Sequence, residues 1–136
     1  MNKNKAPLLF LITGITALLI AITFGVIATI QYVKFDFIKS VLPFNRIRPM
    51  HVTGALSWIL LTAIGGIYYY LNKEGYIKKN IAAPLHFIIF FLTGLAIYTC
   101  YSLGILGGKE YLEFPPVLII PILIGWAIFA TTLISA

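Results

Sequence analysis

Charge is scarce in this chain, and acid scarcest: Asp and Glu number 4 against 10 Lys and Arg, and charged residues make up 10% of the 136. A soluble domain carries about a quarter charged residues, so a water-exposed globule is excluded. The acids Asp36, Glu74, Glu110 and Glu113 all fall outside the long apolar runs. A proton-coupled transporter needs a carboxylate inside the bilayer, which argues against that class. The single Cys100 excludes an internal disulfide and most cysteine-held metal sites; inside an apolar run, it reads as small apolar filler. No small-x-small cleavage site follows the first apolar run. Lys3 and Lys5 ahead of it therefore read as the start of an uncleaved span rather than of a secretion signal.

What is present is apolar. Hydrophobic residues make up 60%, and mean hydropathy is +0.98. A membrane-spanning helix needs roughly 20 consecutive apolar residues, and segments 8–32, 49–71, 81–106 and 114–136 all meet that length. The expected fold class is all-α integral membrane, with four transmembrane helices forming one membrane domain over 1–136. The net charge of +6 does not point to nucleic acid, because the basic residues are scattered through loops, where they face lipid headgroups or direct topology. With a cytoplasmic N-terminus, Lys3, Lys5, Lys73, Lys78 and Lys79 fall inside and Lys34, Lys39, Arg46, Arg48 and Lys109 outside. That tie leaves orientation open and suggests that Arg46 and Arg48 serve a ligand rather than topology.

Span one carries Gly14, Ala17, Ala21, Gly25 and Ala28 at three- and four-residue steps, a stripe that lets helices approach closely in lipid. Segment 33–48 reads as an interfacial connector. Pro49 is expected in the first turn of span two, where its missing N–H costs nothing. Span two presents His51, Ala55, Trp58, Thr62, Gly65 and Tyr69 on one face. Its small members, with Gly54 and Gly66 beside them, either leave room for a flat macrocycle or serve tight helix packing. Tyr68, Tyr69 and Tyr70 mark an aromatic belt at the far interface. The loop 72–80 is short and basic, and Pro84 opens span three. His86, one turn further, is expected as an interfacial histidine, with a part in a proton path as the alternative.

The most informative stretch is Asn45-Arg-Ile-Arg-Pro-Met-His51, which puts a histidine at the mouth of a span with two arginines just outside it. Neutral imidazole is an axial ligand of haem iron, and arginines one turn outside the iron suit the two carboxylates on a haem edge. The loop Gly107-Gly-Lys-Glu-Tyr-Leu-Glu113-Phe-Pro-Pro116 returns to the same membrane side. Calcium favours carboxylates and backbone carbonyls, and the glycines let Glu110 bend toward the arginine–propionate cluster; an ordinary solvated loop is the plainer reading.

Together these residues resemble the N-terminal part of the catalytic subunit of heme-copper oxidases, in the branch of the cbb-type cytochrome oxidases and bacterial nitric oxide reductases. Asn45-Arg-Ile-Arg-Pro-Met-His51 is similar to the cbb-type Gly-Arg-Leu-Arg-Pro-Leu-His, whose histidine ligates the low-spin haem b. Gly108-Lys-Glu-Tyr-Leu-Glu113 is similar to the Gly-Arg-Glu-aromatic-x-Glu motif of both branches. There the first glutamate belongs to a calcium site beside the haem propionates, and the second lies near the outer surface. Lys109 replaces the family's arginine and loses its bidentate fork. The Arg-Pro-x-His pattern leans toward the cbb-type oxidases and Glu-Phe-Pro-Pro toward the nitric oxide reductases; the former is the reading adopted.

The resemblance covers nearly the whole chain and implies the first part of a roughly twelve-helix fold in a bacterial inner (cytoplasmic) membrane. It implies His51 as axial ligand of a low-spin haem b, and Arg46 and Arg48 as partners of its propionates. It also implies Glu110 at a calcium site and Glu113 on a proton path. The second haem ligand, the high-spin haem and the histidines of the non-haem metal belong to later helices. Two histidines in all cannot build that centre, so the chain alone is not expected to catalyse. The apolar end at Ser135-Ala136 suggests a truncated subunit, with a naturally split one as the alternative. Expected partners are the lipid bilayer, the remainder of the catalytic subunit and a cytochrome c-type subunit. The competing class is a cofactor-free structural or assembly subunit, which a haem absorption spectrum separates.

Overall fold

The structure, a computed structural model, describes residues 5–76 and 81–136. Four helices follow one another, α1 (Ala6–Val33), α2 (Phe44–Lys73), α3 (Ala82–Leu103) and α4 (Ile119–Ile134), with a single 3-10 turn, Pro116–Leu118, leading into the last. All four, with that turn counted into α4, are long and apolar enough to cross a membrane. The 30 residues of α2, at about 1.5 Å each, reach roughly 45 Å against a hydrocarbon core of roughly 30 Å. The excess is taken up by tilt or by turns that stand in the headgroup layer. Lys3, Lys78 and Lys79 lie outside the described residues.

Element boundaries depart from expectation in three places. The second helix begins at Phe44, after Pro43 in an extended conformation, so Pro49 sits inside it rather than in its first turn. The missing N–H leaves the Asn45 carbonyl without its helical donor. Packing outweighs that loss, since Ile47, Pro49 and Met50 are all buried. Span three stops at Leu103 instead of running to 106. Gly104 adopts a left-handed φ of 75°, and the Ile105 N–H returns to the Cys100 carbonyl at 2.8 Å, a glycine-dependent helix stop. The fourth helix starts at Ile119 instead of 114, because Pro115 is extended and Pro116 opens the 3-10 turn.

Most inter-helix packing joins α1 to α2, and α3 lies against α4. The small-residue stripe of α1 serves the first pairing, as expected. A Cβ on Gly14 would come within 2.6 Å of the Thr62 methyl, and one on Gly65 within 3.0 Å of Phe10, Leu11 and the Pro7 carbonyl. Gly54 is filled likewise, by the Tyr98 hydroxyl and Ala21. Gly54 and Gly65 thus serve close packing; Gly66 faces open space. One core cluster, Met50, Ile97, Tyr101 and Phe114, sits at the His51 end. A second, including Phe10, Ile64, Tyr68, Ala83 and Phe129, sits at the other. Between them is a cavity of about 290 Å³, lined by Leu61, Phe90, Ile97, Trp126 and the hydroxyl-bearing Thr13 and Ser57. The belt reading holds for Tyr69 and Tyr70, which are exposed, but Tyr68 is fully buried.

Because successive helices reverse direction, the loop before α2 and the loop before α4 share one membrane face. Cysteines introduced at Lys39 and at Lys109, in a Cys100→Ala background, should label from the same side with a membrane-impermeant maleimide. Labelling from opposite sides would break the four-span arrangement.

Candidate functional site

His51 is half-buried in the second turn of α2 and turned toward α1. Its Nδ1 lies 2.7 Å from the Ala21 carbonyl oxygen. A carbonyl can only accept, so Nδ1 carries the ring proton and donates it, and Nε2 keeps a bare lone pair. Among the described residues no group hydrogen-bonds that Nε2. Metal-bound histidines are held in this way, the second ring nitrogen donating to a carbonyl or carboxylate that fixes the tautomer.

The two arginines divide between neighbours. At 3.6 residues per turn, Arg48 lies about 60° around the helix from His51 and Arg46 about 140°. Arg46 accordingly turns to α3, donating to the Ser102 carbonyl at 2.8 Å. Its guanidinium lies over Gly104, where a Cβ would stand 2.8 Å from it. A cation there complements the negative end of the helix dipole. Arg48 meets the loop before α4, pairing closely with Glu113 and at 3.4 Å with Glu110.

The two glutamates differ in setting: the Glu110 side chain is 67% exposed and that of Glu113 16%. Exposed pairs contribute about 0–1 kcal/mol, so Glu113 is the stronger anchor. Its own backbone adds to this, the Glu113 carbonyl accepting from Gly107 and Gly108, with Phe114 buried beside Met50. Lys109 is exposed and joins no ion pair among the described residues. The structure thus gathers His51, Arg46, Arg48, Glu110 and Glu113 at one end of the bundle. Among the described residues no three of His, Cys, Asp and Glu converge on a metal position.

His86 departs from the expected interfacial role: it is fully buried. The rings of Phe90, Phe10 and Phe129 lie 4.3, 5.1 and 5.7 Å from it. Its Nδ1 is 3.0 Å from the Tyr68 hydroxyl, and His86 Nε2 is left unpartnered. His51 lies near the start of α2, whereas His86, on α3, meets Tyr68 near the end of α2.

Sequence reading missed the groups that hold the site. Ala21 and Gly25 stood out only as packing residues, and nothing in the chain marks which residue of α2 they meet. Gln31 was not singled out, yet its buried amide donates to the Phe37 and Leu42 carbonyls, both at 2.8 Å, and ties the connector to the end of α1. Tyr98, donating to the Met50 carbonyl at 3.0 Å, was also passed over.

Fold and site together define a multi-helix membrane protein that offers one prepared imidazole beside a basic and acidic loop cluster. Residues 5–136 match the family described as Cytochrome C and Quinol oxidase polypeptide I. The chain belongs to that family, subunit I of the heme-copper oxidases. It is also similar to a nitric oxide reductase subunit of Stutzerimonas stutzeri, 38% identical over 53 residues, a match covering 39% of this chain and 11% of that protein. No solved structure matches the chain.

Removing one partner of a buried hydrogen bond costs about 1–3 kcal/mol, whereas removing both can be nearly neutral. Tyr68→Phe should therefore lower stability by roughly that amount, and the double change Tyr68→Phe with His86→Phe by less. Thermal unfolding in detergent checks this; a double variant less stable than Tyr68→Phe would contradict a stabilising Tyr68–His86 hydrogen bond.

Proposed function

We propose that this chain supplies His51 as one axial ligand of a low-spin haem b in a respiratory heme-copper oxidoreductase. The second ligand comes from outside residues 1–136, as do the high-spin haem and the non-haem metal. The observation that carries the reading is the Nδ1–H of His51 donating to Ala21 O, which leaves Nε2 ready for iron. Family membership supports it. A haem fits the donor set: a neutral imidazole held in the ligand tautomer, with a partly exposed guanidinium one turn outside it. A haem held there would supply one-electron transfer toward the reducing centre.

The chain's own residues orient and balance charge. Ala21 fixes the imidazole. Arg48, on the near side of α2, is the arginine placed to reach a propionate with the N–H groups left over from Glu110 and Glu113. Arg46 holds the end of α3, and any propionate contact draws on its remaining donors. Glu110, more exposed and more loosely paired, is the carboxylate available to a calcium ion shared with the propionates. Glu113 serves proton exchange near the outer surface.

The cbb-type reading makes oxygen the substrate, with a cytochrome c-type subunit as electron donor in a bacterial cytoplasmic membrane. Nitric oxide reduction is the second reading, favoured by Glu113-Phe-Pro-Pro116 and by the similarity to the Stutzerimonas stutzeri nitric oxide reductase.

In the complete complex, His51→Ala should abolish the low-spin haem signal in optical and EPR spectra, while His86→Ala leaves it. A normal low-spin spectrum in His51→Ala would falsify the proposal.

Arg48→Ala should keep the haem but lower its reduction potential by on the order of tens of millivolts, because a nearby positive charge favours the reduced state in low dielectric. Losing Arg48 also leaves Glu110 and Glu113 unbalanced, which pushes the same way. A potential unmoved in both Arg46→Ala and Arg48→Ala would assign the arginines to loop and headgroup contacts alone. Glu110→Gln should reduce bound calcium, since an amide offers less charge than a carboxylate; elemental analysis equal to wild type would remove that role.

A further inference from the structure

We infer that Gly25 and the Ala21 carbonyl of α1 set the ring plane of His51, making α1 the positioning wall of the axial ligand; this rests on the haem-ligand reading above. Rotation of an imidazole about its Cβ–Cγ bond is soft, with broad minima, so the plane needs an external restraint. Two are present on one helix, four residues and thus about one turn apart. Ala21 O accepts the Nδ1–H at 2.7 Å and sets the in-plane direction. Gly25 receives the ring edge: a Cβ there would stand 2.9 Å from Cε1, 2.9 Å from Nδ1 and 3.7 Å from Cγ.

Gly25 differs from the other glycines of the helix interfaces. Those at 14, 54 and 65 are crowded by several residues or by backbone, whereas the three nearest atoms at Gly25 all belong to the His51 ring. Its backbone is ordinary helix, where alanine is the better helix former. The space it leaves is therefore space for the imidazole. A methyl at position 25 presses on the edge that carries the Nδ1–H, so either the ring turns away from Ala21 O or α1 retreats with it. In both cases the hydrogen bond lengthens and the imidazole becomes a weaker donor to iron; where the ring turns, its plane rotates as well.

The orientation of an axial imidazole governs the g-values of a low-spin ferric haem, and its basicity affects the reduction potential. In the complete complex, Gly25→Ala should retain haem and a low-spin spectrum but shift the g-values and raise the potential. Gly94→Ala, whose added methyl meets open space, should change neither. Unshifted g-values and potential in Gly25→Ala overturn the positioning role.

A second measurement covers the case in which Gly25→Ala assembles poorly. In His51→Gly, free imidazole should restore the low-spin signal with near-native g-values, because Ala21 O and Gly25 still receive its ring. The probe 1-methylimidazole, which has no N–H to donate, should restore it more weakly or with shifted g-values. Equal restoration by both overturns the inference while leaving the haem-ligand reading intact. A low-spin signal in His51→Gly without any added imidazole overturns both.

Discussion

Two apolar helices in lipid gain little by burying apolar surface against each other, since the acyl chains they displace are as apolar as leucine. What remains is close van der Waals packing and the hydrogen bonds that closeness permits. In this chain the approach of α1 to α2 supplies both. Small residues on α1 admit the Thr62 methyl at Gly14 and the His51 ring at Gly25. At that separation a backbone carbonyl of one helix comes within 2.7 Å of an imidazole on the other. The tautomer of His51, the direction of its free nitrogen and the level of Arg48 above it all follow from this one contact surface.

The membrane-face end of the bundle is held by a different kind of force. Arg46 binds the Ser102 carbonyl near the end of α3, and Arg48 binds the loop before α4. Consecutive turns of α2 thus clamp two separate pieces of chain, and burial of Ile47 and Met50 keeps those turns helical despite Pro49. The arginines are consequently part of the scaffold as well as of any carboxylate site. An ion pair that already balances charge also sets the local potential against which a haem edge would be bound.

At the opposite end, the only other histidine lies in an aromatic surround with Tyr68. The two histidines differ in access. His51 is half-buried at the edge of the bundle, where a group from outside can reach Nε2; His86 Nε2 is closed in. Access, rather than residue type, separates the two histidines.

Composition and apolar run lengths alone determined the membrane class and the number of spans, because four uncharged runs of spanning length leave little charge to face water. They also placed the small-residue stripe on α1. The motif around His51 marked the residue and its arginines, and alternation of helix direction brought the Glu110–Glu113 loop to them. Helix ends were less legible: Pro49 looked like a beginning because the burial of Ile47 and Met50 cannot be seen in one dimension. Gly104 ended α3 inside an apolar run, because an unfavourable bend there is decided by backbone angle rather than hydropathy. Tertiary structure alone decided that Arg46 and Arg48 face different neighbours and that Tyr68 and His86 turn inward. It alone decided, too, that a carbonyl 30 residues upstream orients His51. Such pairings depend on how two helices are rotated about their own axes, and that rotation is set by contacts between segments rather than by any local property of either.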